Sequence, residues 1–171
     1  MMAKTKAILL AFILTQLVSS CVSASDSQDK TPQPEDMTMT SQHIDVLNLT
    51  LDLPDGLIQR DTLHGSMFCF DEERYTRYLR CFSVVASASF PTEDIVNWQS
   101  EPLTENGVFY YHTKQTNEGS GGPSESLEGY MVIGEYYFRV RANTQQESGA
   151  PDATWVIPII QTARYVEAGS R

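Results

Sequence analysis

Leu47, Leu49, Leu51 and Leu53 alternate with Asn48, Thr50 and Asp52. A period of two gives a strand one buried face and one wet face, so the chain is committed to a sheet with an apolar side. Pro54-Asp55-Gly56 follows as a turn. Further β-type runs are Met67-Phe68-Cys69-Phe70, residues 78–86, residues 108–113, Tyr130-Met131-Val132-Ile133 and residues 136–142. The last two are joined by Gly134-Glu135, and glycine in the first position of a two-residue link suits a type II′ hairpin turn. On the second strand of that hairpin, alternation puts Tyr137, Arg139 and Arg141 on one face. Tyr136, Phe138 and Val140 fall on the other, which is expected to be the core face.

Two segments have helical character. Thr92 is an N-cap residue followed by Glu93 and Asp94, and Ile95 and Trp98 lie three apart, so residues 90–98 predict a short helix. Trp155, Ile159, Ile160, Ala163 and Val166 recur at helical spacing and predict a C-terminal helix over residues 154–165. Pro158 fits only if that helix begins close before it. Pro102 and Asn106-Gly107 read as breaks, and residues 115–126 as a polar surface loop. The expected fold is α+β: an antiparallel sheet of five to seven strands backed by a C-terminal helix, with one short additional helix.

The N-terminus sets the expected compartment. Lys4 and Lys6 precede an apolar run too short to span a bilayer, and Leu17-Val18-Ser19-Ser20 leads to Cys21. That stretch resembles the bacterial lipobox, which implies removal of residues 1–20 and lipidation of Cys21. The competing reading is an ordinary secretory peptide cut near Ser20 or after Ala24. Val22 in place of an aspartate favours the outer membrane over the inner, by resemblance to the lipoprotein sorting rule. Residues 21–42 are polar and proline-containing, and read as the lipidated cysteine and a tether. Residues 43–171 are expected to form one binding domain.

Residues 1–20 hold Lys4 and Lys6 and no acid, so the remainder carries ten basic and 22 acidic residues, a formal charge of −12. Such a surface repels nucleic acid and anionic headgroups and attracts basic partners. With Cys21 lipidated, Cys69 and Cys81 remain, and an even pair in an oxidising compartment reads as a disulfide. The metal alternative lacks a C-x₂-C pattern, and the nearest histidine is His64. No cofactor or metal is expected.

A search for catalytic patterns returns none that is specific. Residues 115–126 lack the lysine of a phosphate loop and are not a Gly-x-Ser-x-Gly elbow. His43, His64 and His112 are scattered and read as structural or solvent-facing. The candidate partner contacts are Asp71, Glu72, Glu73, Arg74 and Tyr75 between two strands, and Glu118, Ser120 and Glu125 in the polar loop.

The order of leader, tether, alternating strand ending in Leu53-Pro54-Asp55-Gly56, Gly134-Glu135-Tyr136-Tyr137-Phe138 hairpin and Ile159-Ile160-Gln161-Thr162-Ala163-Arg164 terminus resembles two families. One is the small PsbP/Mog-like envelope lipoproteins, which implies a housekeeping assembly or accessory factor. With the acidic domain and the disulfide, the chain also resembles the periplasmic immunity lipoproteins of type VI secretion systems. That resemblance implies a non-enzymatic inhibitor, anchored on the periplasmic side of the bacterial envelope, that plugs or covers the active cleft of a secreted toxin, and the chain's anionic loops suit a cleft that is basic.

Overall fold

The computed structural model describes residues 38–70, 78–92, 95–117, 122–146 and 150–167. All of them belong to the unit spanning Pro32–Arg171. The leader, Cys21 and the tether up to residue 37 lie outside the described residues. Among those described, ten strands form two antiparallel sheets. In chain order they are β1 (Met39–Ile44), β2 (Leu49–Pro54), β3 (Leu57–Thr62), β4 (Gly65–Phe70), β5 (Tyr78–Ser87), β6 (Gln99–Pro102), β7 (Gly107–Thr116), β8 (Ser124–Ile133), β9 (Tyr136–Gln146) and β10 (Arg164–Tyr165). The larger sheet runs β3-β4-β5-β9-β8-β7-β6, and the smaller runs β1-β2-β10. The first strand therefore begins at Met39, within the stretch expected to be tether. The expected single sheet of five to seven strands is two sheets, because β2 pairs with β1 and β10 in the small sheet, and β3, which follows the Pro54-Asp55-Gly56 turn, starts the large one.

The alternation over residues 49–53 sets the small sheet's inner face. Leu49, Leu51 and Leu53 are buried, while Thr50 and Asp52 are partly exposed. Leu47 departs from the pattern: it closes a 3-10 turn, Asp45–Leu47, and Asn48 follows at φ 48°, a conformation asparagine tolerates better than most residues. Its burial thus comes from a turn rather than a strand. Facing these leucines, one side of the large sheet contributes Phe68, Phe82, Val84, Phe109, Leu127, Met131, Phe138 and Val140, all buried in a single cluster. Complete burial of side chains this size favours folding by about 2–3 kcal/mol each before chain entropy is counted.

The expected C-terminal helix is much shorter than its apolar spacing predicts. A 3-10 turn, Thr154–Val156, leads into α1 (Ile157–Gln161), with Pro158 in its first turn. The Thr162 hydroxyl donates to the Ile159 carbonyl (2.7 Å) and accepts from the backbone N–H of Asp52 (2.8 Å). The chain then leaves the helix and pairs with β2 as β10. Trp155, Ile159, Ile160 and Ala163 are nonetheless all buried, as the spacing requires.

The helix expected over residues 90–98 is absent from its described part, where residues 95–97 form a turn closed by one bond from Trp98 N–H to the Ile95 carbonyl. Glu93 and Asp94 lie outside the described residues. The polar loop expected over residues 115–126 is ladder at both ends: Gln115 and Thr116 pair with Glu125 and Ser124, so β7 and β8 continue into it. Pro102 ends the edge strand β6, where its missing N–H leaves no ladder bond unmade. The Gly134-Glu135 hairpin is as predicted, with Gly134 at φ 58°. No helix among the described residues is long and apolar enough to cross a membrane.

Candidate functional site

The large sheet's second face, turned away from the core, is built from cross-strand rows that the register defines. One row runs Arg60, Met67, Ser83, Arg141, Glu128, His112 across β3, β4, β5, β9, β8 and β7. Beside it runs Ile58, Cys69, Cys81, Asn143, Ser126, Lys114. Cys69 and Cys81 are directly opposed on β4 and β5 and form a disulfide. On the other side lie Val85, Arg139, Tyr130, Tyr110 and Ser100.

The β5–β6 connection covers part of this face. Phe90 packs its ring against Tyr110 (5.4 Å between centroids), Tyr130 (6.0 Å) and Tyr137 (5.8 Å). Trp98 lies 4.5 Å from the His112 ring and 6.0 Å from Tyr130. The spacing of Ile95 and Trp98 predicts one helical anchor face; instead Trp98 and Phe90 clamp the connection onto the sheet as an aromatic layer. A depression of about 410 Å³ between Phe90, Val108, Tyr110 and Val132 marks its edge.

The part that the connection leaves open holds a second depression of about 410 Å³, with Met67, Ser83, Ser126, Glu128, Arg141 and Asn143 in its lining. Glu128 is the electrostatic centre. Its Oε1 accepts from Arg139 Nε at 2.8 Å and from Arg139 Nη2, and lies 3.5 Å from Arg141 Nη2. Partial burial works to raise the Glu128 carboxyl, but the Arg139 hydrogen bond and the charges of Arg139, Arg141 and His112 outweigh it and hold it below the ordinary carboxylate range.

Of the sequence-predicted contacts, Asp71, Glu72, Glu73, Arg74, Tyr75, Glu118 and Ser120 lie outside the described residues. Glu125 is described, and its position argues against a surface contact. It is 7% exposed, and its Oε2 accepts from the Ala153 backbone N–H at 2.6 Å. It sits in the inward row Arg80, Thr144, Glu125, where the Trp155 indole N–H donates to the Thr144 hydroxyl at 2.9 Å. Alternation on β8 explains the correction, because Glu125 has the parity of buried Leu127 and Met131. Glu125 therefore holds the C-terminal segment to the sheet.

The histidines stand apart from one another. His43 Nδ1 lies 3.2 Å from the Thr50 hydroxyl on the small sheet, His64 is exposed in the β3–β4 turn, and His112 lies under Trp98. Among the described residues, no group of three or more His, Cys, Asp or Glu side chains is placed to hold a metal ion. The His112–Glu128–Arg141 row escapes sequence reading. Alternation separates the two faces of β9, but only the register brings residues from three strands into one line.

These features define a two-sheet β domain whose exposed sheet face has the composition of a recognition surface: arginine, tyrosine, methionine and a charge cluster. Residues 50–164 match the type six secretion immunity 3 domain (Tsi3) family, and the chain belongs to that family. The matched segment spans both sheets, from β2 to β10. Of the two resemblances in the sequence, the type VI immunity proteins are the one the match supports. No curated protein matches the chain.

Proposed function

We propose that the protein is a periplasmic immunity lipoprotein that binds a toxin delivered by type VI secretion and blocks it, without catalysing a reaction itself. The observation that carries this reading is the immunity-family match over residues 50–164. The sequence supplies the compartment: residues 1–20 act as the leader, Cys21 as the lipid-bearing residue and the residues between Cys21 and β1 as the tether, on the periplasmic side of the outer membrane. An acidic chain of this kind meets a basic toxin cleft quickly and in a preferred orientation. Asp71, Glu72, Glu73, Arg74, Tyr75, Glu118 and Ser120 are the contacts assigned to that cleft.

The test takes its candidate toxins from the effectors that the producing strain's own type VI system secretes. Bacteria exporting one of these effectors to their own periplasm are expected to survive when they also make this chain, and the two proteins are expected to bind as a purified pair. Lysis despite full expression, together with no binding, for every effector would sink the immunity reading. Cys21→Ser is expected to move the chain from the membrane fraction to the soluble periplasmic fraction. A variant that stays with the membrane would remove lipidation of Cys21 from the proposal.

A further inference from the structure

The described part of this acidic protein has its charges sorted by face. Four of its six Lys and Arg side chains, Arg60, Lys114, Arg139 and Arg141, fall on the second face of the large sheet by register and alternation. Of its eleven Asp and Glu side chains, only Glu128 falls there. That one carboxylate is engaged by Arg139, which leaves Arg60, Lys114 and Arg141 as the cationic excess of the face, and of these Arg141 borders the open depression. The Arg141 side chain is 59% exposed, its ion pair with Glu128 is at 3.5 Å, and it borders the open depression with Met67, Ser83, Ser126 and Asn143. A guanidinium carries five N–H donors in a planar fork that matches a carboxylate, and one loose ion pair leaves most of them for a ligand.

The surroundings favour a protein as the occupant. Met67 and Cys81 line the depression together with Ser83, Ser126 and Asn143, on the same face as the aromatic layer of Phe90 and Trp98. Arginine in an apolar setting, ringed by small polar groups and aromatic residues, is the composition of energetic centres in protein–protein interfaces. We infer that this open half-face docks an acidic segment of the toxin, with a partner carboxylate received by Arg141 in the depression between Met67, Ser83 and Asn143. The inference rests on the immunity reading and adds to it a contact of opposite sign to the acidic loops. The toxin must then present a negative segment beside its basic cleft.

The test measures the affinity of the full chain, in detergent, for the type VI effector against which it protects, by calorimetry at two salt concentrations. Arg141→Glu is expected to weaken binding by about tenfold or more. Ser126→Glu, whose wild-type hydroxyl makes only a long 3.4 Å bond to the Lys114 carbonyl, is expected to weaken it several-fold without touching the Glu128 cluster, and it keeps the test open should Arg141→Glu fail to fold. Both losses are expected to shrink at high salt. If the wild-type chain binds and folded variants bind equally well, this inference is overturned while the immunity reading stands. If the wild-type chain does not bind the toxin, the immunity reading fails and takes the inference with it. If toxin affinity is unchanged while wild-type binding to phosphatidylglycerol vesicles is lost in Arg141→Glu, the face belongs to a membrane surface and the protein assignment is overturned.

Discussion

Glu125 shows how one position can look like function and serve the fold. By composition it belongs to a polar loop; in the structure its carboxylate takes the Ala153 N–H within the core. Leaving that donor unsatisfied costs about 1–3 kcal/mol, so Glu125→Ala is expected to lower urea stability by that amount. Glu125→Gln, which keeps an acceptor oxygen, is expected to recover much of it. Glu128, three residues on, has the opposite parity and supports a pH dependence. Its folded carboxyl titrates below the ordinary range, so the stability it contributes is complete above the ordinary carboxylate range and is lost as pH falls through the folded value. Acid titration of unfolding is expected to show that loss in the wild-type protein and a flatter curve in Glu128→Gln. Alternation alone was enough to separate the two sides of β9. The roles of Glu125 and Glu128 were not legible because the ladder had to be known to reach residue 124 before any parity could be assigned.

At the scale of elements, the hairpins were legible wherever glycine and local alternation agreed, as at Gly134. The helices were overread, since apolar residues three and four apart also arise where a short turn feeds a strand. Trp155, Ile159 and Ile160 are buried as that spacing demands, yet Pro158 and the Thr162 hydroxyl confine the helix to five residues. Strands β3, β6 and β10 left weak signals because each lies at a sheet edge and buries little. Two changes probe the central ladder. A Cβ on Gly129 would lie 2.4 Å from the Phe109 ring and 2.7 Å from the Tyr110 carbonyl oxygen, and Phe109 is fully buried with nowhere to move. Gly129→Ala is therefore expected to destabilise by about 1–3 kcal/mol in denaturant melts. Replacing both Cys69 and Cys81 with alanine opens a 12-residue separation and is expected to cost about 3 kcal/mol, read as a lower midpoint under non-reducing conditions. No change in midpoint would mean that the β4–β5 pairing needs no cross-link.

At the scale of the whole molecule, the long-range order was the least legible feature. No local signal says that β9 sits between β5 and β8, or that the strand following α1 returns to β2. Those pairings are chosen by which apolar faces can be covered together, and that choice involves residues from one end of the described chain to the other. The small sheet depends on it most. Arg164 Nη2 reaches Asp52 Oδ1 at 2.6 Å and Ser41 Oγ at 2.7 Å, joining β10 to β2 and β1, and Thr162 meets the Asp52 N–H across 110 residues. A ribosome must therefore deliver nearly the whole chain before the leucines of β2 acquire their lid. Contacts this distant in sequence slow folding, commonly to milliseconds or longer. Under the export proposed above, this late closure leaves the chain open to threading until its C-terminal segment has been made.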